Sequence, residues 1–207
     1  FTLATVGERR RWRESDLAVA RAVADQTGIA IRQAQLYQRA EATSAREALV
    51  NRLGHAIRAS LSLSEVLRTA THELGRALRA SRVYLRPYDP ERAGESPVEY
   101  EYLEEGCPSL SAQKLSYDEP VGRYLMETLG TLVIHDAATY DGGFEDVNAH
   151  LREMAARNGS QSKIICPLVV QGRFRGALCI HQTGRVRRWA RDEVALVESV
   201  AAQLATA

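Results

Sequence analysis

The sequence of 207 residues is poor in cysteine and has no excess of charge of either sign. Its three cysteines, Cys107, Cys166 and Cys179, lie far apart. No Cys-x-x-Cys pair or cysteine–histidine cluster indicates a structural zinc or a disulfide framework. The 27 basic side chains are balanced by 26 acidic ones, so electrostatics give no reason to expect nucleic acid as a partner.

Long apolar runs are also lacking. The longest, Ile-Ile-Cys-Pro-Leu-Val-Val, is far too short to cross a bilayer. No positively charged segment followed by an apolar run opens the chain. The sequence therefore predicts a cytoplasmic localisation without a membrane span.

Proline is absent before Pro87, although the chain contains six prolines. From Glu14 to Arg58 the chain is rich in residues that favour helices, namely Ala, Leu, Arg, Gln and Glu. This composition predicts a long helix, roughly 65 Å at 1.5 Å per residue, either continuous or broken at Gly28 or within Glu41–Ser44. Because a compact domain cannot cover such a helix, we expect a homodimer interface formed by its apolar residues: Leu17, Val23, Ile31, Leu49, Leu53 and Ile57.

The remainder of the chain alternates between helix and strand signals. A helix is predicted after Ser62, two strands within 81–103, an irregular helical insert, and a closing helix. The clearest hairpin turns at Gln171–Gly172. This order predicts an α+β fold in which an antiparallel sheet carries helices on one face.

One phrase occurs twice in the chain. RRWRESDLAVARAVADQ at 10–26 returns as RRWARDEVALVESVAAQ at 187–203, and aligning Trp12 with Trp189 also matches a glycine before each phrase. The chain is therefore expected to open with the tail of one domain and to end with the same tail of a complete second domain. The expected divisions are a preceding domain's tail at 1–30, a linker and dimerisation helix at 31–59, and the complete domain at 60–207.

The repeated segment also resembles a known family. GRFRGALCIHQTGRVRRWARDEVALVESVAAQ resembles the closing hairpin and helix of GAF domains, the small-molecule sensing modules of bacterial signalling proteins. SLSEVLRTATHELGRALRASRVYLRPYD resembles their first core helix and strand. The resemblance implies an antiparallel sheet of about six strands with a ligand pocket on one face, and long helices that join tandem domains and pair two subunits.

The function implied by this resemblance is sensing. The chain would be a small-molecule-sensing and dimerisation module of a histidine kinase, response regulator or cyclase, and not an enzyme by itself. It would relay the state of an unknown ligand through its flanking helices.

A narrower resemblance is to the phytochrome and cyanobacteriochrome branch of the family, whose bilin is attached to a cysteine followed by histidine. Here NAHLREM has Ala149 before the histidine, so no covalent bilin is expected. YDEPVGR resembles the turn and arginine beside the bilin, and CIHQ places a histidine where that branch holds the far end of the chromophore. The candidate ligand-binding residues are Asp118, Arg123, His150, Cys179 and His181.

Other interpretations remain open at this level. Arg123 could simply pair with Asp118 or Glu119, and the domain could be a non-covalent or degenerate bilin photosensor, or a structural spacer. Free methionine sulfoxide reductases share the fold but need a reactive cysteine thiolate, which EPVGR lacks. No catalytic triad, phosphate-binding loop or metal site is predicted, so catalytic and metal residues are both expected to be absent.

Overall fold

The computed structural model describes the chain except residues 1, 3, 5–6, 8–10, 60–61, 93–95, 114, 143 and 207, and omits the side chains of 42, 53, 55–59 and 92 as well. The chain divides into two compact units, Phe1–Arg46 and Glu47–Ala207. None of the helices in the described part combines the length and apolarity needed to cross a membrane.

The first unit is dominated by helix α1, which spans Glu14–Ala59 and so continues beyond this unit. Neither Gly28 nor the segment Glu41–Ser44 ends the helix. Phe1, Leu3 and Thr5 of the expected opening strand lie outside the described residues.

The two copies of the repeated phrase start their helices in the same way. In each copy the helix begins two residues after the tryptophan, with α1 at Glu14 and the last helix at Arg191. The backbone N–H of Arg13 donates to Asp16 Oδ2 at 3.0 Å, and the equivalent N–H of Ala190 donates to Glu193 Oε2 at 2.8 Å. A carboxylate in the first turn thus caps both helices.

The second unit contains one five-stranded sheet. Its strands are β1 (Arg82–Pro87), β2 (Glu99–Leu103), β3 (Leu132–Ile134), β4 (Ser160–Val170) and β5 (Arg173–Thr183). Its helices besides the end of α1 are α2 (Leu63–Leu78), α3 (Pro120–Thr128), α4 (Glu145–Asn158) and α5 (Arg191–Ala205), with a short 3₁₀ turn at Pro90–Arg92. The strand order is β2-β1-β5-β4-β3 and the pairs are antiparallel, which confirms the α+β prediction with five strands instead of about six.

The expectation that helices cover only one face of the sheet is wrong. Successive residues of β1, β4 and β5 are buried, although they point to opposite faces. On one face α2 and α5 build a core around residues such as Val83, Ile180 and Val197. On the other face α3 and α4 build a second core, which contains Tyr84 and Cys179.

Leu49 requires a correction. Its side chain is 2% exposed and belongs to the core that α2 and α5 form on the sheet, so its burial is explained within the second unit. Leu53 and Ile57, which were expected beside it in a dimer interface, have side chains outside the described residues.

Edge strand β2 carries an irregularity. Its pairing with β1 shifts register between Val83 and Leu85, and Tyr100 opposite this point has a φ of 52°. A bulge of this kind bends and twists the strand.

Gly176 in β5 fits a place that no other residue can occupy without strain. Its φ is +145°, and a Cβ added there would lie 2.3 Å from the carbonyl oxygen of Arg86 on the neighbouring strand. Close approach of two backbones at a left-handed position requires glycine.

We predict that Gly176→Ala lowers the free energy of unfolding by about 1–3 kcal/mol or more, because it adds both backbone strain and a steric clash. Gly130→Ala is the matched control, since nothing lies closer than 3.7 Å to a Cβ built at Gly130 and its φ is not in the left-handed region. Urea denaturation of the three proteins would measure the difference. Equal stability of the two variants would contradict this account of β5.

Candidate functional site

The sheet face beneath α3 and α4 carries three basic side chains in one row. Arg82 on β1 pairs in register with His181 on β5, and His181 pairs with Lys163 on β4. Residues in register on adjacent strands share a face, and adjacent strands lie about 4.8 Å apart, so the row spans about 10 Å. We call these three residues the cationic row.

The cationic row is buried, and several of its nitrogen atoms have no partner. Arg82 and Lys163 are 0% exposed and His181 is 1% exposed. Among the described residues, no hydrogen-bond partner reaches Arg82 Nε and Nη1, Lys163 Nζ or His181 Nδ1. Buried polar atoms are usually hydrogen-bonded, so four unpaired nitrogens in one row are unusual.

Arg82 is the partly compensated member of the row. Its Nη2 donates to the carbonyl oxygen of Pro108 at 2.6 Å and lies 3.5 Å from Cys107 Sγ. Its Nε is 3.7 Å from Glu101 Oε1, which itself accepts a hydrogen bond from the Leu110 N–H at 2.9 Å. Glu101 therefore offsets part of the arginine charge without completing its hydrogen bonds.

No carboxylate among the described residues forms an ion pair with Lys163. Burial lowers the pKa of Lys163 to about 8; the charge of Arg82 also lowers it, and Cys179 acts against this. An amine with a pKa of about 8 is mostly protonated at pH 7. The interior thus contains a charged ammonium without a hydrogen-bond acceptor among the described residues.

His181 lies between these two cations as a neutral ring. Burial lowers its pKa well below the usual value, and the charges of Lys163, Arg82 and Arg86 lower it further. Its Nε2 lies 3.2 Å from the hydroxyl oxygen of Tyr84, and the two rings meet edge to face with centroids 5.1 Å apart. When Tyr84 donates this hydrogen bond, Nδ1 carries the ring proton and is a free donor.

The next row along the sheet is apolar. Tyr84, Cys179 and Ile165 lie in register beside the cationic row and belong to the core formed with α3 and α4. Arg86, two residues along β1 from Tyr84, is fully engaged: it donates to Ser96 Oγ and to the Ser116 carbonyl oxygen, each at 3.1 Å. In the described part of this face the unpaired donors are therefore confined to the cationic row.

His150, Cys179 and His181, three of the five predicted ligand-binding residues, lie in this interior. His150 on α4 is 9% exposed, and its Nε2 lies 3.3 Å from Glu119 Oε2 at the start of α3. Burial lowers its pKa, and the charge of Lys163 contributes to the shift, which places His150 in the electrostatic field of the cationic row.

Asp118 and Arg123 lie at the surface instead. Arg123 Nη1 donates to the Asp118 carbonyl oxygen at 2.5 Å, and its Nη2 is 3.8 Å from Asp146 Oδ2 on α4. Arg123 therefore forms an ion pair, as the alternative interpretation expected. Its acidic partner is Asp146, however, and not Asp118 or Glu119. Arg123 links α3 to α4.

The sequence reasoning missed Arg82, Tyr84 and Lys163. The sequence does contain a clue to Lys163, because the chain has only two lysines and this one interrupts an apolar strand. Its meaning required the strand register, which joins residues from β1, β4 and β5 that lie far apart in sequence.

Neither thiol on β4 and β5 is poised for reaction. Burial raises the pKa of both Cys166 and Cys179 to about 11. Among the described residues no group of three or more His, Cys, Asp or Glu could hold a metal ion. A surface groove of about 450 Å³ between the end of α2 and the start of α5 is lined by none of the predicted site residues.

The buried charge predicts a dependence of stability on pH. Lys163 has a lower pKa when folded than when unfolded, so its cost is complete below pH 8 and is relieved as the pH rises toward 10. Relative to Lys163→Met, wild-type stability should therefore rise with pH by up to about 1.4 kcal/mol per unit in this window. Urea denaturation at pH 7, 8, 9 and 10 would measure this difference.

Wild type must be compared with Lys163→Met because Cys166 and Cys179 change the stability in the opposite direction as the pH rises. Their raised pKa values make the unfolded state lose protons first, so both lower the stability above pH 9 in either protein. Lys114→Met, which removes the other lysine, should keep the wild-type pH dependence. If the stability of wild type and that of Lys163→Met depend on pH in the same way, Lys163 is not a buried charge.

Solved structures of photoreceptor domains are similar to this chain. A phycocyanobilin-bound GAF domain from a cyanobacterial phytochrome is 24% identical with a TM-score of 0.65, and the match covers 78% of this chain and 92% of that one. A far-red cyanobacteriochrome photoreceptor is 20% identical with a TM-score of 0.58, covering 79% and 95%.

A third similar structure is the chromophore-binding domain of the Stigmatella aurantiaca bacteriophytochrome, in its Thr289His mutant. It is 17% identical with a TM-score of 0.64, covering 78% of this chain and 59% of that one. At these identities the likenesses show the fold. No curated protein matches the chain.

The family itself is shown by a sequence match. The model of the GAF domain matches residues 62–207, which include α2, the whole sheet and α5. This match agrees with the α+β fold expected from the sequence and with the folds of the similar photoreceptor structures. The chain belongs to the GAF domain family.

Proposed function

We propose that this chain is the small-molecule-sensing and dimerisation part of a cytoplasmic signal-transduction protein, such as a sensor histidine kinase or a response regulator. One observation carries the sensing role: buried nitrogens of the cationic row face the core beneath α3 and α4 without partners among the described residues. A GAF domain is a sensory domain, and a row of unpaired donors is a feature that a bound ligand would complete.

The contacts of α3 and α4 suggest how a ligand would be admitted. These helices are tied to each other by Glu119–His150 and Arg123–Asp146, at 3.3 Å and 3.8 Å. The Arg123–Asp146 pair is exposed and so contributes little stability. In the other pair His150 is buried and Glu119 is half-buried. A ligand that binds one arrangement of α3 and α4 better than another would shift the population toward it.

The opposite face of the sheet offers a route from the site to the flanking helices. Ile180, next to His181 on β5, packs in the core that contains Val200 of α5. Near the end of α5, Gln203 Nε2 donates to the carbonyl oxygen of Val50 in α1 at 3.3 Å. Movement of β5 would therefore reach both flanking helices through direct contacts.

The tandem arrangement is part of the proposal. Identical capping at Asp16 and Glu193 supports a common origin of the two repeated phrases. Trp189 is 5% exposed within its core, whereas Trp12 is 38% exposed. The exposed tryptophan is consistent with a first copy whose sheet is not contained in residues 1–30.

The dimer is proposed to form along one seam of α1. Leu17 and Ile31 lie within about 40° of each other around the helix axis, since fourteen residues at about 100° each fall just short of four turns. They are 46% and 53% exposed. Ala20, Ala24 and Gly28 lie between them, and such small residues let two helices approach closely. Val23, which was expected in the interface with them, lies about 120° from Leu17 around the helix axis, so the proposed seam leaves it out.

We predict that the purified protein is a homodimer that Ile31→Glu weakens by about tenfold or more, because it would bury a charge in the seam. Val23→Glu is the matched control: the same substitution on the same helix, at a similarly exposed side chain that lies off the seam. Light scattering over a concentration series would compare the three proteins. Monomeric wild type, or equal weakening by both variants, would contradict the seam.

Sensing itself is tested by native mass spectrometry of the protein as purified, which reports subunits and retained ligands together. We expect a retained small molecule in at least part of the sample. Two results together would favour the structural-spacer interpretation. The protein would retain no ligand, and incubation with extracts of its source would cause no change at Lys163 or His181.

A non-covalent bilin photosensor is the second candidate. It is favoured by the phycocyanobilin bound in the cyanobacterial phytochrome GAF domain to which this chain is similar, and by His181 in the interior. Ala149 is exposed on α4 and has no thiol, and the raised pKa of Cys179 leaves its thiol protonated near neutral pH. The raised pKa also argues against a reductase that relies on these thiols.

We predict that the protein, when produced together with a bilin, carries no covalent adduct after denaturation in acid urea. Ala149→Cys supplies a thiol at the position of the branch's attaching cysteine and serves as the comparison. Absorbance and zinc-enhanced fluorescence of the denatured proteins would measure attachment. A bilin band that survives denaturation in wild type would contradict the prediction, and loss of that band in Cys179→Ala would identify the attachment site.

A further inference from the structure

We propose that the ligand of this domain is a singly charged carboxylic acid, whose carboxylate binds the cationic row and whose apolar or aromatic body lies on Tyr84, Cys179 and Ile165. This inference rests on the proposed sensing function and adds the chemical class of the ligand. It is carried by the row's unpaired donors, their common face and the balance of charge around them.

The geometry supplies converging donors. Arg82 Nε and Nη1, His181 Nδ1 and Lys163 Nζ belong to three residues paired in register across adjacent strands. The two long side chains flank the imidazole, so their ends can reach a group placed above it. A carboxylate has about four lone-pair sites on two oxygens and can accept from several such donors at once.

The energetics also favour an anion. Two cations buried on either side of a neutral ring repel each other, and each loses hydration. The fold keeps this arrangement although an apolar residue of similar size at position 163 would avoid its cost. A bound anion is what would compensate the ammonium, since Glu101 lies beside Arg82 and no acceptor among the described residues reaches Lys163 Nζ.

The charge balance selects a singly charged group. Arg82 contributes one positive charge, which Glu101 at 3.7 Å partly offsets. Lys163 contributes a second, while the lowered pKa of His181 keeps its ring neutral. The uncompensated charge of the cationic row itself is therefore close to one, which a carboxylate matches better than a doubly charged phosphate monoester. Arg86, farther along the same face, is held by neutral partners, Ser96 Oγ and the Ser116 carbonyl oxygen.

The surroundings select the rest of the molecule. Beyond the cationic row the same face continues as Tyr84, Cys179 and Ile165, which are buried in the core formed with α3 and α4. The next pair is Ala177 and Arg86, whose guanidinium already donates to Ser96 and Ser116. Farther along, Phe174 and Tyr117 meet edge to face with centroids 5.0 Å apart. A ligand with a polar tail would leave that tail without partners here, whereas a hydrocarbon or aromatic body would be desolvated favourably.

The chain's own composition makes a direct test possible. With only two lysines, Lys114 and Lys163, protein containing [ε-¹³C]lysine should give two side-chain methylene signals, which Lys114→Met assigns. Benzoate and octanoate are the probes, and benzyl alcohol and 1-octanol are their uncharged counterparts. The full chain is used throughout.

We expect at least one carboxylate to shift the Lys163 signal and to raise its apparent pKa by about one unit or more, because an adjacent anion stabilises the ammonium form. The Lys114 signal should not respond. Lys163→Met should weaken binding of that carboxylate by about tenfold or more, as followed by thermal shift or calorimetry, while Lys114→Met should not. Far-ultraviolet circular dichroism would confirm that both variants are folded.

Several results would overturn the proposal. One is equal binding of an acid and its alcohol, which would indicate an apolar pocket only. Another is unchanged acid binding in Lys163→Met, and a third is displacement of the acid by lower concentrations of inorganic phosphate. Absence of binding by both acids up to about 10 mM, where even a Kd of 1 mM is detected, would also overturn it. A retained ligand that proves neutral or cationic would overturn this inference and leave the sensing function intact.

Discussion

The fold depends on a sheet whose three central strands are buried on both faces. Because side chains alternate along a strand, one set of residues in β1, β4 and β5 meets α2 and α5, and the other set meets α3 and α4. The first set is mainly apolar, with residues such as Val83, Ile164 and Ile180, and it holds the sheet to the flanking helices. The second set mixes apolar residues with Arg82, Lys163 and His181. One face of the sheet therefore packs against the flanking helices, and the other carries the candidate site.

This division explains why the charged residues are tolerated. Burial of a charge costs several kcal/mol even after relaxation, which is a large share of the stability of a domain of this size. The apolar core on the opposite face, with members such as Leu74, Val197 and Val200 at 0% exposure, provides the stabilisation that allows it. Residues whose environment disfavours their charge are characteristic of functional sites, which supports the proposal that the cationic row binds a ligand.

Much of the architecture could be predicted from the sequence, because hydrophobic periodicity reports local structure. The hairpin around Gln171–Gly172, the helix after Ser62 and the long helix α1 were all expected from composition and spacing. The site was predicted only in part. His150, Cys179 and His181 were identified through a family resemblance, whereas Arg82 and Lys163 join His181 only through strand register, which no local pattern contains.

Two errors of sequence reasoning have physical causes. Leu49 was expected at an interface because an apolar position on a helix does not reveal which surface covers it, and the domain's own core does so here. Helices were expected on one face from the order of the elements alone, and that order does not reveal which face of the sheet each helix covers. In the structure α2 and α5 build a core on one face, and α3 and α4 build a second core on the other.

The two edges of the sheet have a consequence for assembly. Edge strand β3 has only three residues, and edge strand β2 is distorted by the bulge at Tyr100. A short strand and a bulged strand are poor templates for pairing with a strand of another molecule. Neighbouring copies of the chain would therefore be discouraged from joining through continuous sheets. That protection leaves helical surfaces to determine which molecules associate, and it would let many copies crowd together without forming fibres.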